Sequence, residues 1–306
     1  MQPKLYIMCG LSASGKSTIA RTLSEKENCI IISSDAIRGE ICEGGVADQS
    51  KNEEVFNIFH KRIKENLSKG NNVIADATNI TVKSRKAIFN AVRNIDCCKI
   101  AYVVIKSYGL CLLDNRSSSR KYPVPDEVIY KQMCAFQIPF YEEGFDKIIL
   151  YTYDSTVNIY NNIGILDVYR EDMFNFNQNN PHHNQTLYSH CMTVRDNFYK
   201  SKVYSLAAEF HDIGKLFCET VDEDGISHYY NHSSIGTYML LEDYKEICYL
   251  EKLSKDELLE FLFIINYHML PMNWTTDKSR NKWKKVLGED KFNLLVEFNR
   301  CDKIRI

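Results

Sequence analysis

Residues 10 to 17 read Gly-Leu-Ser-Ala-Ser-Gly-Lys-Ser, a glycine-framed loop of the form G-x-x-x-x-G-K-S. The chemistry of such a loop is the binding of a nucleoside triphosphate, expected here to be ATP, with Mg²⁺. Backbone N–H groups of the loop and of the helix behind it face the anionic phosphates. Gly10 and Gly15 let the chain turn tightly and approach the ligand. Ser12, Ser14 and Thr18 are counted with them as cofactor-binding residues. Lys16 is expected to neutralise the β/γ-phosphates, and the Ser17 hydroxyl to coordinate Mg²⁺. A second set of chemically capable residues lies far downstream. Of eight histidines only His60 is in the first half; His182, His183, His190, His211, His228, His232 and His268 all follow residue 180. A phosphate-binding half followed by a histidine-rich half implies two chemistries.

The loop must sit between a strand and a helix, and the flanking residues supply both. Leu5-Tyr6-Ile7-Met8-Cys9 is an apolar run, and Thr18 to Leu23 continues at helical spacing. Further strands are expected near 29–33, 72–76, 99–105 and 147–153, with helices at 16–27, 35–42, 50–69, 81–94, 108–119 and 125–136. Alternation of this kind predicts an α/β domain over residues 1–155, with a five-stranded parallel sheet and helices on both faces. Asparagine-rich, turn-forming stretches place a linker at 156–181. Helical patterns at 186–199, 203–211, 233–243, 256–269 and 289–302 predict an all-α domain over 182–306.

Composition narrows the setting. The chain has 306 residues, 44% hydrophobic and 25% charged, with a net charge of −2. No apolar run approaches the roughly 20 residues that span a bilayer, so no membrane partner is expected. The first strand starts so near the N-terminus that no signal peptide is expected. The eleven cysteines include no Cys-x-x-Cys pair and read as reduced, cytoplasmic and mostly buried.

Three features bear on what the phosphate-binding loop serves. Ser33-Ser34-Asp35-Ala36-Ile37-Arg38 ends the second strand, where ligands bind in such sheets. Asp35 can act there as base for an incoming hydroxyl, with Arg38 holding an acceptor phosphate; a helix N-cap beside a surface arginine reads the same way. Asp76 in Asp76-Ala77-Thr78-Asn79 ends an apolar strand, either as a carboxylate ordering the magnesium shell or as a plain turn residue. Arg116 and Arg120, four apart in a predicted helix, form a cationic face that clamps triphosphate or is merely solvated.

Together these motifs resemble the polynucleotide 5′-hydroxyl kinase family over about residues 3–153. The residues carrying the likeness are G-L-S-A-S-G-K-S, S-S-D-A-I-R, D-A-T-N and R-S-S-S-R-K-Y-P-V-P-D-E-V. The resemblance implies Asp35 as general base for a 5′-OH, Arg38 as contact to the acceptor phosphate, and Arg120, with Arg116 less directly, as lid on the donor. Small-molecule kinases share the first and last of these motifs.

In the histidine-rich half, His211-Asp212 precedes Ile213-Gly214-Lys215. An imidazole and a carboxylate on one helix end can serve one cation. His190, His232, His268 and Asp302 fall on separate predicted helices or helix ends, which a bundle can turn into a shared cavity. Satisfied core histidines are the plain alternative. The texts H-D-I-G-K, D-G-I-S-H-Y-Y-N-H-S-S-I-G-T and Y-H-M-L-P resemble the HD-domain phosphohydrolase superfamily over about 182–306. The resemblance implies His190, His211, Asp212 and Asp302 as the primary metal set. It implies His232 and His268 for a second metal or the scissile phosphate, and Lys215 as a phosphate contact. A mixed N/O site of this kind prefers Mn²⁺, Fe²⁺, Co²⁺, Ni²⁺ or Zn²⁺ over Mg²⁺. His182, His183 and His228 stay open between surface and pocket roles.

Two such activities on one chain resemble bifunctional nucleic-acid end-healing enzymes, with the domain order reversed. That implies a 5′-OH kinase with a 2′,3′-phosphoesterase, acting on nucleic-acid ends, RNA ahead of DNA, and working beside a separate RNA ligase. A nucleoside or small-molecule kinase with an HD nucleotidase or regulatory hydrolase is the alternative. A third reading makes the helical half a non-catalytic nucleic-acid-binding module.

Overall fold

The computed structural model describes residues 2–118, 120–153, 164–179 and 185–304. His182, His183 and part of the expected linker lie outside these residues. The chain divides into two compact units: Met1–Met133 with Pro139–Asp154, and Cys134–Ile138 with Ser155–Ile306.

The first unit is built on five parallel strands, β1 (Lys4–Cys9), β2 (Cys29–Ser33), β3 (Asn72–Asp76), β4 (Cys98–Ile105) and β5 (Lys147–Thr152), in the spatial order β2-β3-β1-β4-β5. Leu5, Ile7, Met8 and Cys9 are fully buried, because β1 has a strand on each side and helices above and below. Its neighbours are fixed in register, Ile7 opposite Ala75 and Ala101. The chain runs to β2 on one side of β1 and to β4 and β5 on the other. The carboxyl end of β1 therefore opens at the crevice where such sheets bind ligands. Helices α1 (Lys16–Glu27), α2 (Ser34–Ile41), α3 (Asn52–Ser68), α4 (Val82–Ala91), α5 (Tyr108–Arg116) and α6 (Asp126–Cys134) connect the strands. Behind the crevice Arg85 is fully buried and makes two hydrogen bonds to Glu143, at 2.8 and 2.6 Å. It also donates to the Asn79 carbonyl at 3.2 Å. Asn79 takes a left-handed φ of 43° and donates to the Met8 carbonyl at 2.9 Å. A paired buried charge thus braces the turn after β3 against β1.

The second unit holds helices α7 (Ile165–Asn175), α8 (Leu187–Asn197), α9 (Lys202–Phe210), α10 (Lys215–Cys218), α11 (His232–Glu242), α12 (Tyr244–Glu251), α13 (Lys255–Tyr267) and α14 (Asp277–Asp302). Nine residues of α13, from Leu258 to Tyr267, are buried, and α13 packs on α9 and α11 as the centre of the bundle. Helix starts follow side-chain caps: Thr186, Ser201, Ser254 and Thr276 each accept a backbone N–H of the first turn, worth about 1 kcal/mol apiece. The unit is not wholly α. Strands β6 (Thr220–Val221) and β7 (Ser227–His228) form a small antiparallel hairpin. Helix α7 occupies part of the segment expected as linker. Helix α14 is two helices that meet at a non-helical Gly288 (φ 75°): the second covers the expected 289–302, and a polar, lysine-rich helix that was not expected precedes it. The short segment Cys134–Ile138 belongs to this core: Asn266 accepts the Ile138 N–H at 2.8 Å and donates to the Phe136 carbonyl at 3.0 Å.

Candidate active sites

The phosphate-binding loop lies between β1 and α1. Gly10 has φ 154°, and a Cβ there would come within 2.6 Å of the Val104 carbonyl oxygen. Gly15 has φ 91°, and a Cβ would strike the Tyr153 hydroxyl at 2.2 Å. Ala13 adopts φ 63° without being glycine, a strained backbone conformation within the loop. Gly10 N–H donates to the Thr78 carbonyl at 3.0 Å, tying the D-A-T-N turn to the loop. Lys16 is buried, which lowers its pKa, and its Nζ donates to the Leu11 carbonyl at 2.6 Å across the loop mouth. The charge of Asp76 opposes the lowering. Ser17 Oγ donates to Asp76 Oδ2 at 2.8 Å. Burial raises the Asp76 pKa and Lys16 opposes the rise. A hydroxyl beside a buried carboxylate suits Mg²⁺, which prefers hard oxygen ligands. The Ser14 hydroxyl is fully buried with no hydrogen-bond partner, as expected where phosphate oxygens are to complete the site.

Arg38 is buried and donates to Asp35 at 2.9 Å and to Asn52 of α3 at 2.8 Å. Asp35 itself is open, its side chain 67% exposed, so a substrate hydroxyl can reach it. Ser33, not Asp35, caps α2 through its side chain. The expected helix across Arg116 and Arg120 is corrected. Helix α5 ends at Arg116 and Ser117 turns out of it, so the two arginines do not share a helical face. Arg116 pairs with Asp126, and Arg120 donates to the Tyr122 carbonyl at 3.1 Å. Three contributors carry no motif: Asn52, Tyr153, whose hydroxyl donates to the Gly15 carbonyl at 3.0 Å, and Gln132. Gln132 of α6 accepts the Ser12 N–H at 2.7 Å and donates to its hydroxyl at 3.0 Å.

In the second unit His190, His211, Asp212, His232, His268 and Asp302 converge. Asp212 Oδ2 lies 3.6 Å from His190 Nε2 and 3.4 Å from His211 Nε2. Asp212 Oδ1 lies 3.1 Å from His232 Nε2 and 3.5 Å from His268 Nε2. Asp302 Oδ1 is 3.2 Å from His190 and 3.3 Å from His211. The donors form two ligand triads that share Asp212, each within 4.8 Å. Ligand atoms about 3.4 Å apart are the edge of a tetrahedron with bonds of about 2.1 Å.

The imidazoles are aimed by the backbone. The Nδ1 atoms of His211, His232 and His268 each sit 2.8 Å from the carbonyl three residues earlier, at Ala208, Tyr229 and Ile265. A carbonyl only accepts, so Nδ1 carries the hydrogen and Nε2 points its lone pair inward. His232 Nε2 and His268 Nε2 are then 3.2 Å apart, an arrangement of facing lone pairs that a cation relieves. The buried His211 Nε2 likewise has no hydrogen-bond partner. The residues present therefore fit a divalent metal. Burial would raise Asp212; instead His211, Lys215 and His232 hold its carboxyl well below the usual range.

Glycine makes the convergence possible. A Cβ on Gly214 would stand 1.9 Å from the His232 carbonyl oxygen, and one on Gly236 would stand 2.7 Å from the Gly214 nitrogen. The two segments meet backbone to backbone, which brings His232 to Asp212. Lys215 donates to Asp212 at 2.7 Å and to Gln178 at 2.8 Å. Gln178 is fully buried, and Phe298 packs its ring 5.3 Å from that of His211. Neither was legible in the sequence; Gln178 sits in the asparagine-rich stretch that reads as a linker. His228 lies outside the cluster, paired with Asp222 at 2.8 Å.

Among the described residues no helix is long and apolar enough to cross a membrane, and the eleven cysteines are free. No curated protein matches the chain. Among solved structures it is similar to the Pnkp1/Rnl/Hen1 RNA repair complex, at 25% identity and TM-score 0.39, over 43% of this chain and 43% of that one. The chain thus spans under half the length of that relative. It is also similar to a gluconokinase from Sinorhizobium meliloti, at 14% identity and TM-score 0.37, over 50% of this chain and 85% of the other. Residues 5–139 match the AAA domain family, a stretch that holds the phosphate-binding loop and four of the five parallel strands.

Proposed function

We propose that the chain heals broken nucleic-acid ends by two chemistries. One is an ATP-dependent 5′-OH kinase in the first unit; the other is an HD-type, metal-dependent 2′,3′-phosphoesterase in the second. The observation that carries the reading is their co-occurrence on one chain: a phosphate-binding-loop domain and a cluster of His190, His211, His232, His268, Asp212 and Asp302.

In the kinase reaction Asp35 accepts the proton of a 5′-hydroxyl as its oxygen bonds to the γ-phosphorus, and the bond to the bridging oxygen of ADP breaks. Arg38 holds Asp35 in place and offers charge to an acceptor phosphate. Lys16, the loop N–H groups and Arg120 stabilise charge on the transferring group. Ser17 and Asp76 would hold Mg²⁺.

In the second reaction the oxygen of water bonds to the cyclic phosphorus, one P–O ester bond breaks, and the freed ribose oxygen takes a proton. His190, His211, Asp212 and Asp302 would hold a divalent metal, and His232 and His268 would hold a second metal or the scissile phosphate. The metals supply positive charge that acidifies water and clamps phosphoryl oxygens. Lys215 adds a buried cation against the phosphate. Nucleic-acid ends, RNA first, are the expected partner, with sealing left to a separate RNA ligase in the cytoplasm.

The test offers the protein ATP, Mg²⁺, Mn²⁺ and an RNA bearing a 5′-OH and a 2′,3′-cyclic phosphate. Both ends should change. If neither does while a free nucleoside is phosphorylated, the small-molecule kinase reading replaces this one.

A further inference from the structure

The hairpin before His232 carries an aromatic arrangement that the metal chemistry does not need. The Tyr230 ring stacks on the His228 ring, with centroids 5.6 Å apart and planes within 9°. Tyr230 is nonetheless 67% exposed. The parallel pair Trp274–Phe292 has its tryptophan in the core, where stacking and burial go together. At Tyr230 the stack is built but left open to solvent.

The backing ring, His228, is held in place by hydrogen bonds. Asp222 Oδ1 accepts the N–H groups of Asp224 at 3.0 Å and Ile226 at 2.9 Å, so the turn fixes its carboxylate. Its other oxygen, Oδ2, holds His228 Nε2 at 2.8 Å. His228 is in turn paired with Thr220 in the hairpin register. The next residue, Tyr229, turns its hydroxyl to Glu219 at 3.1 Å, and its carbonyl orients the His232 ring. Tyr230 follows and is open, two residues from a ligand of the metal cluster.

We propose that Tyr230, backed by His228, is a seat for the nucleobase of the nucleotide whose phosphate reaches that cluster. A base presents a flat π-face whatever its identity, so an open ring backed by a second suits it without sequence preference. The inference rests on the phosphoesterase reading of the second unit, and it adds the recognition of a nucleoside.

The experiment compares adenosine 2′,3′-cyclic phosphate with the abasic ribose 2′,3′-cyclic phosphate in Mn²⁺. The ratio of their kcat/KM values measures what the base contributes. Tyr230→Ala should lower that ratio at least about fivefold, the lower end of one base–aromatic stack, mainly through KM. Tyr230→Phe should preserve it, and His228→Ala should lower it by less than Tyr230→Ala. A ratio unchanged in Tyr230→Ala overturns the seat, including the case in which both substrates slow together because the ring merely supports His232. If the wild-type protein hydrolyses neither substrate, the phosphoesterase reading fails. Calorimetric binding of adenosine 3′-monophosphate, which needs no turnover, then decides the seat: equal affinity in wild type and Tyr230→Ala overturns it.

Discussion

The two candidate sites are built in opposite ways. The phosphate-binding loop is eight contiguous residues whose working groups are mostly backbone N–H, with Gly10 and Gly15 holding conformations that side chains resist. The candidate metal site is all side chain, drawn from α8, the end of α9, α11, the end of α13 and the end of α14. The contact between His190 and Asp302 closes 112 residues of chain. A site made of backbone survives wherever its local conformation forms. A site made of distant side chains exists only if the whole bundle packs.

The largest test of that contrast removes one residue from each site. Asp35→Ala should abolish 5′-phosphorylation, a loss of about 10²–10⁴ in rate, and leave opening of the 2′,3′-cyclic phosphate intact. Asp212→Ala should do the reverse, and metal content measured on the purified protein should fall, because both ligand triads lose their shared carboxylate. Loss of both activities from either variant would break the separation.

Next in size is the support behind the loop. Glu143→Ala leaves Arg85 buried without its carboxylate and should cost about 3–5 kcal/mol in urea unfolding of the first unit. Metal binding by the second unit should be unchanged.

Gly214→Ala tests the bundle site at its closest backbone approach. A methyl group cannot share space with the His232 carbonyl, so the helix must shift. Thermal stability should fall by about 1–3 kcal/mol, and metal affinity should fall with it. An unchanged metal content would show that His232 does not depend on that approach.

The smallest effect belongs to the surface of the first unit. Lys4 donates to Glu27 at 2.7 Å, which lowers the Glu27 pKa. A depressed carboxyl stabilises the fold above its ordinary titration range and loses that contribution as pH falls through the folded value. Glu27→Gln should change stability by less than about 1 kcal/mol at neutral pH, less still in salt and in acid.

Much of this architecture was readable from residues alone. The strands at 4–9, 29–33 and 72–76 coincide with β1, β2 and β3, because buried parallel strands are short apolar runs ending in turn residues. The loop needs no partner to be recognised, since its eight residues are adjacent. The histidines pointed to a cluster by type and number, and Gly214 and Gly236 were visible as letters. What the letters do not carry is distance. Helix α7 and the first half of α14 were hidden, one in polar text and one behind a glycine break. Arg116 and Arg120 looked like one helical face until Ser117 ended the helix between them.

The tertiary structure alone decided which donors meet. Nothing in spacing says that Asp212 is shared by two triads, that Gln178 holds Lys215, or that Gln132 grips Ser12. Each such contact joins segments whose separation in sequence is set by loops, while their separation in space is set by packing of buried apolar faces elsewhere. Local chemistry is written in neighbours; convergent chemistry appears only when the core that brings those neighbours together has formed.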